Sequence, residues 1–159
     1  MSAAKQLEPD LSFEDLVDEG FEGTRQGAVI IVESRGVPFP RQRWLARQLE
    51  GWLPGGVVHQ ADSLFVILMR YAGAAETWML VERLRRQLKK SGWDHVVVGS
   101  ASWPMQGSTP MDVVAAALAS LSDERERSER EWAMRELWFE VDASAGGFNW
   151  ASAGELLTG

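Results

Sequence analysis

Apolar and polar positions fall into a regular succession along this chain. Gly27-Ala28-Val29-Ile30-Ile31-Val32 is continuously apolar and ends at Glu33. A run of that length, rich in β-branched residues, predicts a strand covered on both faces. Ser34 to Pro40 carries two prolines and predicts a loop. Arg41 to Leu53 reads as a helix, with Trp44, Leu45, Gln48, Leu49, Trp52 and Leu53 on one side, ended by Pro54-Gly55-Gly56. Val57 to Met69 then reads as two strands joined by a polar turn at Gln60-Ala61-Asp62-Ser63. From Ala74 to Lys90, Ala74, Trp78, Val81, Leu84 and Leu88 repeat at three- and four-residue steps, the mark of an amphipathic helix. His95 to Ala101 predicts another strand. Thr109-Pro110-Met111-Asp112 is a helix start, with Thr as N-cap, Pro first and Asp third, and Val113, Val114, Ala117, Leu118 and Leu121 facing the core.

The two ends are less regular. Ser12 to Val17 predicts a short capped helix in an acidic segment broken by Pro9, Gly20 and Gly23. Ser122 to Arg135 is densely charged and extends the last helix into solvent. Residues 136–142 read as a final edge strand or as the end of that helix, and the alternation of Leu137, Phe139 and Val141 favours the strand. Strand–helix–strand occurs twice, with a hairpin between. That order predicts an α+β fold, a ferredoxin-like mixed sheet with helices packed on it. The boundaries expected are an amino-terminal arm over 1–26, a domain over 27–142 and a tail over 143–159.

Composition narrows the function. The chain has 159 residues, a net charge of −7 and no cysteine. Disulfides, thiolate metal sites and cysteine nucleophiles are therefore excluded. The acidic balance argues against a general affinity for nucleic acid, and no apolar run is long enough to insert into a membrane. No secretory leader is read at the amino terminus, and the expected location is the cytoplasm. Eight tryptophans are many for this length, and Trp favours interfaces as well as cores. His59 and His95 fall on different strands without a third ligand, so ordinary strand roles are expected of them. The cations of the two middle helices read as solvated faces. No His–Asp pattern accompanies Ser100 or Ser102, which leaves no case for nucleophilic catalysis.

Three segments carry a family resemblance, which runs from about 27 to 122. They are the strand ending at Glu33, the hairpin with Gln60-Ala61-Asp62-Ser63-Leu64 at its turn, and Val96 to Pro104 followed by Gly107 and Thr109-Pro110. In this order they resemble the GGDEF domain, the diguanylate cyclase fold, with its signature turn mostly replaced. The resemblance implies a nucleotidyl-cyclase-like sheet. In that family two carboxylates hold the metal ions that serve GTP condensation. Glu33 matches the first metal position and Asp62 the acidic third position of the signature. Gln60 and Ala61 stand where two glycines let the nucleotide approach, and Ser63 replaces the second acid. The Arg-x-x-Asp product site is absent from Gly51 to Pro54.

The expectation is a catalytically inactive GGDEF-like domain with no catalytic residue and no cofactor. It would hold a protein partner in bacterial signalling, motility or secretion, and a homodimer is compatible with that role. Trp132, Trp138, Phe148 and Trp150 are the candidate contacts. The alternative is a sensor of GTP or cyclic di-GMP in a degenerate pocket that keeps Glu33 and Asp62. A divergent metal-dependent cyclase ranks below both.

Overall fold

The computed structural model describes residues 5–6, 13–61, 63–93 and 95–145. In chain order the elements are β1 (Lys5–Gln6), α1 (Phe13–Phe21), β2 (Gly27–Glu33), α2 (Phe39–Trp52), β3 (Val57–Ala61), β4 (Leu64–Arg70), α3 (Ala74–Lys90), β5 (Val97–Trp103) and α4 (Pro110–Ala145). Contacts divide the chain into two units, residues 1–125 and 126–159, and α4 runs through the division.

Every residue of β2 is buried. The strand pairs antiparallel with β4 along one edge and with β5 along the other, seven residues in each register. The sheet order is β1-β3-β4-β2-β5. β2 and β3 therefore run parallel with β4 between them, and β4 and β5 run parallel with β2 between them. Those two split strand–helix–strand units are the ferredoxin-like arrangement expected from the succession of elements. Residues Lys5 and Gln6 add a short parallel strand beside His59 and Gln60; a segment read from the sequence as arm thus contributes to the sheet.

Side-chain alternation assigns the helices to faces. Ala28, Ile30 and Val32 share a core with Phe65, Ile67 and Met69, with Leu45, Ala46 and Leu49 of α2 and Leu53 just after it, and with Val81, Leu84 and Leu88 of α3. The opposite face carries Val29 and Ile31. There Gly20 of α1 lies against Leu68, and Phe21 meets the Trp103 ring edge-on at 5.7 Å. α4 lies on the same face. A Cβ at Gly99 would come within 2.4 Å of the Leu121 backbone nitrogen and 2.7 Å of the Ala117 oxygen. The missing side chain is what lets this helix approach the sheet so closely.

The start of α4 is a reciprocal cap. The Asp112 N–H donates to Thr109 Oγ1 (3.2 Å), and the Thr109 N–H donates to Asp112 Oδ2 (3.3 Å). The outer edge of β5 is also occupied. Arg85 donates to the Val98 carbonyl (3.4 Å), the Ser100 N–H donates to Ser120 Oγ (3.2 Å), and the Ser102 N–H donates to Gln106 Oε1 (2.9 Å).

Three sequence expectations are corrected. Residues 136–142 are helical, not an edge strand. No turn residue separates them from the Glu-, Arg- and Ala-rich run before, and those residues favour helix, so three alternating apolar residues do not end it. Trp44 and Trp78 are not inward: they are 57% and 67% exposed. Leu45 and Thr77 take the buried positions beside them, and the indoles lie one step outside the buried stripe. Leu118 is likewise 42% exposed rather than part of the core.

Gly99→Ala is expected to cost about 1–3 kcal/mol, as overpacking against fixed backbone does, read as a lower denaturation midpoint at unchanged slope. A second expectation concerns acid. The Ser108 hydroxyl, then Thr109, donate to the Asp112 carboxylate and hold its pKa below the ordinary 3.8. A lowered folded-state pKa stabilises above the ordinary value and loses that contribution as pH falls through the lowered one. Melting temperature measured from about pH 5 down to pH 2 should therefore fall less steeply in Asp112→Ala than in the parent.

Candidate functional site

The carboxyl end of β2 and the β3–β4 turn meet. Ser34, fully buried, donates through both its N–H (2.8 Å) and its hydroxyl (3.0 Å) to the Ser63 carbonyl. The hairpin is tighter than the sequence suggests. Gln60 and Ala61 continue β3, Leu64 opens β4, and Ala61 pairs with Leu64, so the connection between the strands is two residues long. Two-residue connections suit the twist of antiparallel strands. Asp62 itself lies outside the described residues. The Gln60 side chain turns toward α2 and donates to Gln42 Oε1 (3.3 Å); Gln42 in turn donates to the Val37 carbonyl (2.9 Å).

Glu33 shares the sheet face of Val29 and Ile31, the face that α4 covers. It is 4% exposed. A carboxylate taken that far from water requires partners, and among the described residues it has two. Arg125 of α4 grips it with both arms of its fork: Nε donates to Oε1 at 3.1 Å and Nη2 donates to Oε2. Arg35 adds its Nε at 3.4 Å from Oε1. One turn-neighbour along α4, Glu124 Oε2 lies 3.6 Å from Arg85 Nη2, and Arg85 also pairs with Glu82 at 2.7 Å. Consecutive residues of α4 thus anchor it to the end of β2 and, around the β5 edge, to α3.

This arrangement does not fit a divalent metal ion at Glu33. Both carboxylate oxygens already accept from a guanidinium, and a second guanidinium stands beside it. A metal ion would have to displace the Arg125 fork and then sit against two positive charges. Nor is the group open to a substrate, since it is buried and both of its oxygens are engaged by Arg125.

Other sequence-derived candidates are dispersed. His59 is buried on β3, and His95 is exposed just before β5. β4 and β2 lie between those strands, a separation of roughly 14 Å at ordinary strand spacing. Trp132 is half-buried on α4. Trp138 lies on the same helix, but its side chain is outside the described set; Phe148 and Trp150 lie outside the described residues. The sequence reading missed Arg125. It stands in a run of alternating charge where every arginine has acidic neighbours three or four positions away, so nothing local marks it as bound elsewhere.

The fold has a known counterpart. A crystal structure of the FimX GGDEF domain from Pseudomonas aeruginosa superimposes with a TM-score of 0.56 over 80% of this chain and 96% of that one, at 16% sequence identity. The chain has the GGDEF fold. No family model matches its sequence, and no curated protein matches it. At that identity the likeness extends to the backbone plan of the GGDEF fold. The contents of the site are this chain's own.

The Glu33–Arg125 pair has an energetic signature. Arg125→Ala strands a buried carboxylate with only Arg35 beside it, and breaking such a pair costs about 3–5 kcal/mol. Removing both charges together, as in Glu33→Gln with Arg125→Met, should cost less than Arg125→Ala alone, because no buried charge is left unpaired. Urea denaturation of the single and double variants tests both statements; equal losses for Arg125→Ala and for a neighbouring exposed Arg127→Ala would refute the first.

Proposed function

We propose that this chain is a catalytically inactive GGDEF-fold domain that serves as a protein-interaction or regulatory module in bacterial signalling, motility or secretion. The observation that carries the reading is the Glu33–Arg125 fork. At the position where the resemblance places a metal-binding carboxylate, this chain has a buried carboxylate neutralised by an arginine from 92 residues later. Gln60 and Ala61 support it further. They occupy the end of β3 with side chains where the family has glycines, and the Gln60 amide is committed to Gln42.

Interaction rather than chemistry also suits the distribution of large apolar side chains. Among the described residues Trp44, Trp78, Met79, Met105, Met134 and Leu137 are all more than half exposed. Trp132 and Trp138 remain candidate contacts with a protein partner, as do Phe148 and Trp150. No helix among the described residues is long and apolar enough to cross a membrane. A cytoplasmic setting is part of the proposal.

Titration calorimetry with GTP and with cyclic di-GMP, each in the presence of Mg²⁺, tests the reading. The expected outcome is no heat at millimolar ligand and no thermal stabilisation. Micromolar binding of either, lost in Asp62→Ala, would replace this reading with a nucleotide sensor. Product formation from GTP would replace it with a cyclase.

A further inference from the structure

The charge of this protein is segregated. α2 and α3 together carry eight Arg and Lys against three Asp and Glu, whereas the rest of the chain carries eight against twenty. The two helices lie on one face of the sheet, in one core. Trp93, just beyond α3, joins them: its indole donates to Gln48 Oε1 (2.8 Å), and the Arg41 guanidinium stacks over its ring at 4.7 Å. That contact sets the cationic end of α3 beside the middle of α2.

The outer side of α2 exposes Arg43, Trp44 and Arg47, which line one shallow surface together with Pro40. Neither Arg43 nor Arg47 forms an ion pair among the described residues. Arg85 and Arg125, by contrast, are consumed by internal acids. An exposed indole flanked by arginines is the composition of an interface centre.

The complementary surface is in the same chain. Residues 8–22 contain seven Asp and Glu and no Lys or Arg. Asp18, Glu19 and Glu22 of that segment are exposed along one side of α1 and its end, with Arg25 and Arg70 as the nearest cations beyond it. α1 covers the sheet face opposite α2 and α3. The two surfaces of one molecule are therefore a sheet and two layers of side chains apart, and cannot satisfy each other.

We propose that a second copy of this chain docks its acidic α1 surface on the Arg43–Trp44–Arg47 face of the first. The contact joins unlike surfaces, so it is heterologous and each added copy leaves one of each surface open. The association is electrostatic and weakens as salt shortens the Debye length. It is independent of whether the domain is catalytically inactive.

Sedimentation velocity of the whole chain tests this. In about 20 mM salt the sedimentation coefficient should rise with concentration past that of a dimer, and in about 500 mM salt it should return to that of a monomer. Two variants neutralise one surface each: R43Q/R47Q on α2, and D18N/E19Q/E22Q on α1. All five positions are exposed, and circular dichroism checks that each variant is folded. Each variant alone should be monomeric. A mixture of the two should stop at a one-to-one dimer, joined by the acidic surface of the first and the basic surface of the second. A monomeric wild type in low salt overturns the proposal. So do oligomers that survive high salt or either set of substitutions, and so does a mixture that stays monomeric. A monomeric wild type that binds single-stranded dT20 through Arg43 and Arg47 would assign this face to nucleic acid instead.

Discussion

The structure depends on the complete burial of β2. A strand with neighbours along both edges and helices over both faces has no exit to solvent for any side chain. Six of its residues meet that constraint by being small or apolar. The seventh, Glu33, is charged, and it compels the fold to supply a cation at one fixed point. Arg125 supplies it and in doing so fixes the rotation and position of α4 where the helix leaves the sheet. The helix is further constrained by the Gly99 contact and by the Glu124–Arg85 pair. A single electrostatic requirement at the end of the central strand thus helps set the register of an element almost a hundred residues later.

The same pair governs what the site can do. An aspartate or glutamate at the end of a strand is an open ligand only while its oxygens face solvent or a cation that exchanges. A fork from a packed helix is a permanent cation. It neutralises the carboxylate without a binding equilibrium and cannot be washed out or competed away at ordinary ion concentrations. The position therefore carries its own internal counter-ion.

Much of this was legible in the sequence, and the limit has a physical cause. Continuous apolarity announces β2 because a strand buried on both faces has no polar alternation to confuse the reading. The Thr109–Asp112 cap is local, and a four-residue pattern suffices. The hairpin was visible but its turn was drawn too wide, since the polar Gln60 looks like turn chemistry until its amide is seen bonded to Gln42. Residues 136–142 were misread because a short period-two pattern and a helix face of i, i+4 contacts can share the same letters. Trp44 and Trp78 misled for a related reason. Hydrophobic residues are read as inward, whereas a folded surface keeps a large apolar fraction. Arg125 was illegible because long-range pairing leaves no trace in neighbouring residues.

The outer edge of β5 has a further consequence. Three of its outward backbone groups, the Val98 carbonyl and the Ser100 and Ser102 N–H, are bonded to the side chains of Arg85, Ser120 and Gln106, and the Ser102 carbonyl accepts from the Gln106 N–H. An extended peptide seeking to lengthen the sheet there would have to displace these bonds. Main-chain pairing, which accepts almost any sequence, is disfavoured at that border. The occupied groups also discourage growth of the sheet from that edge.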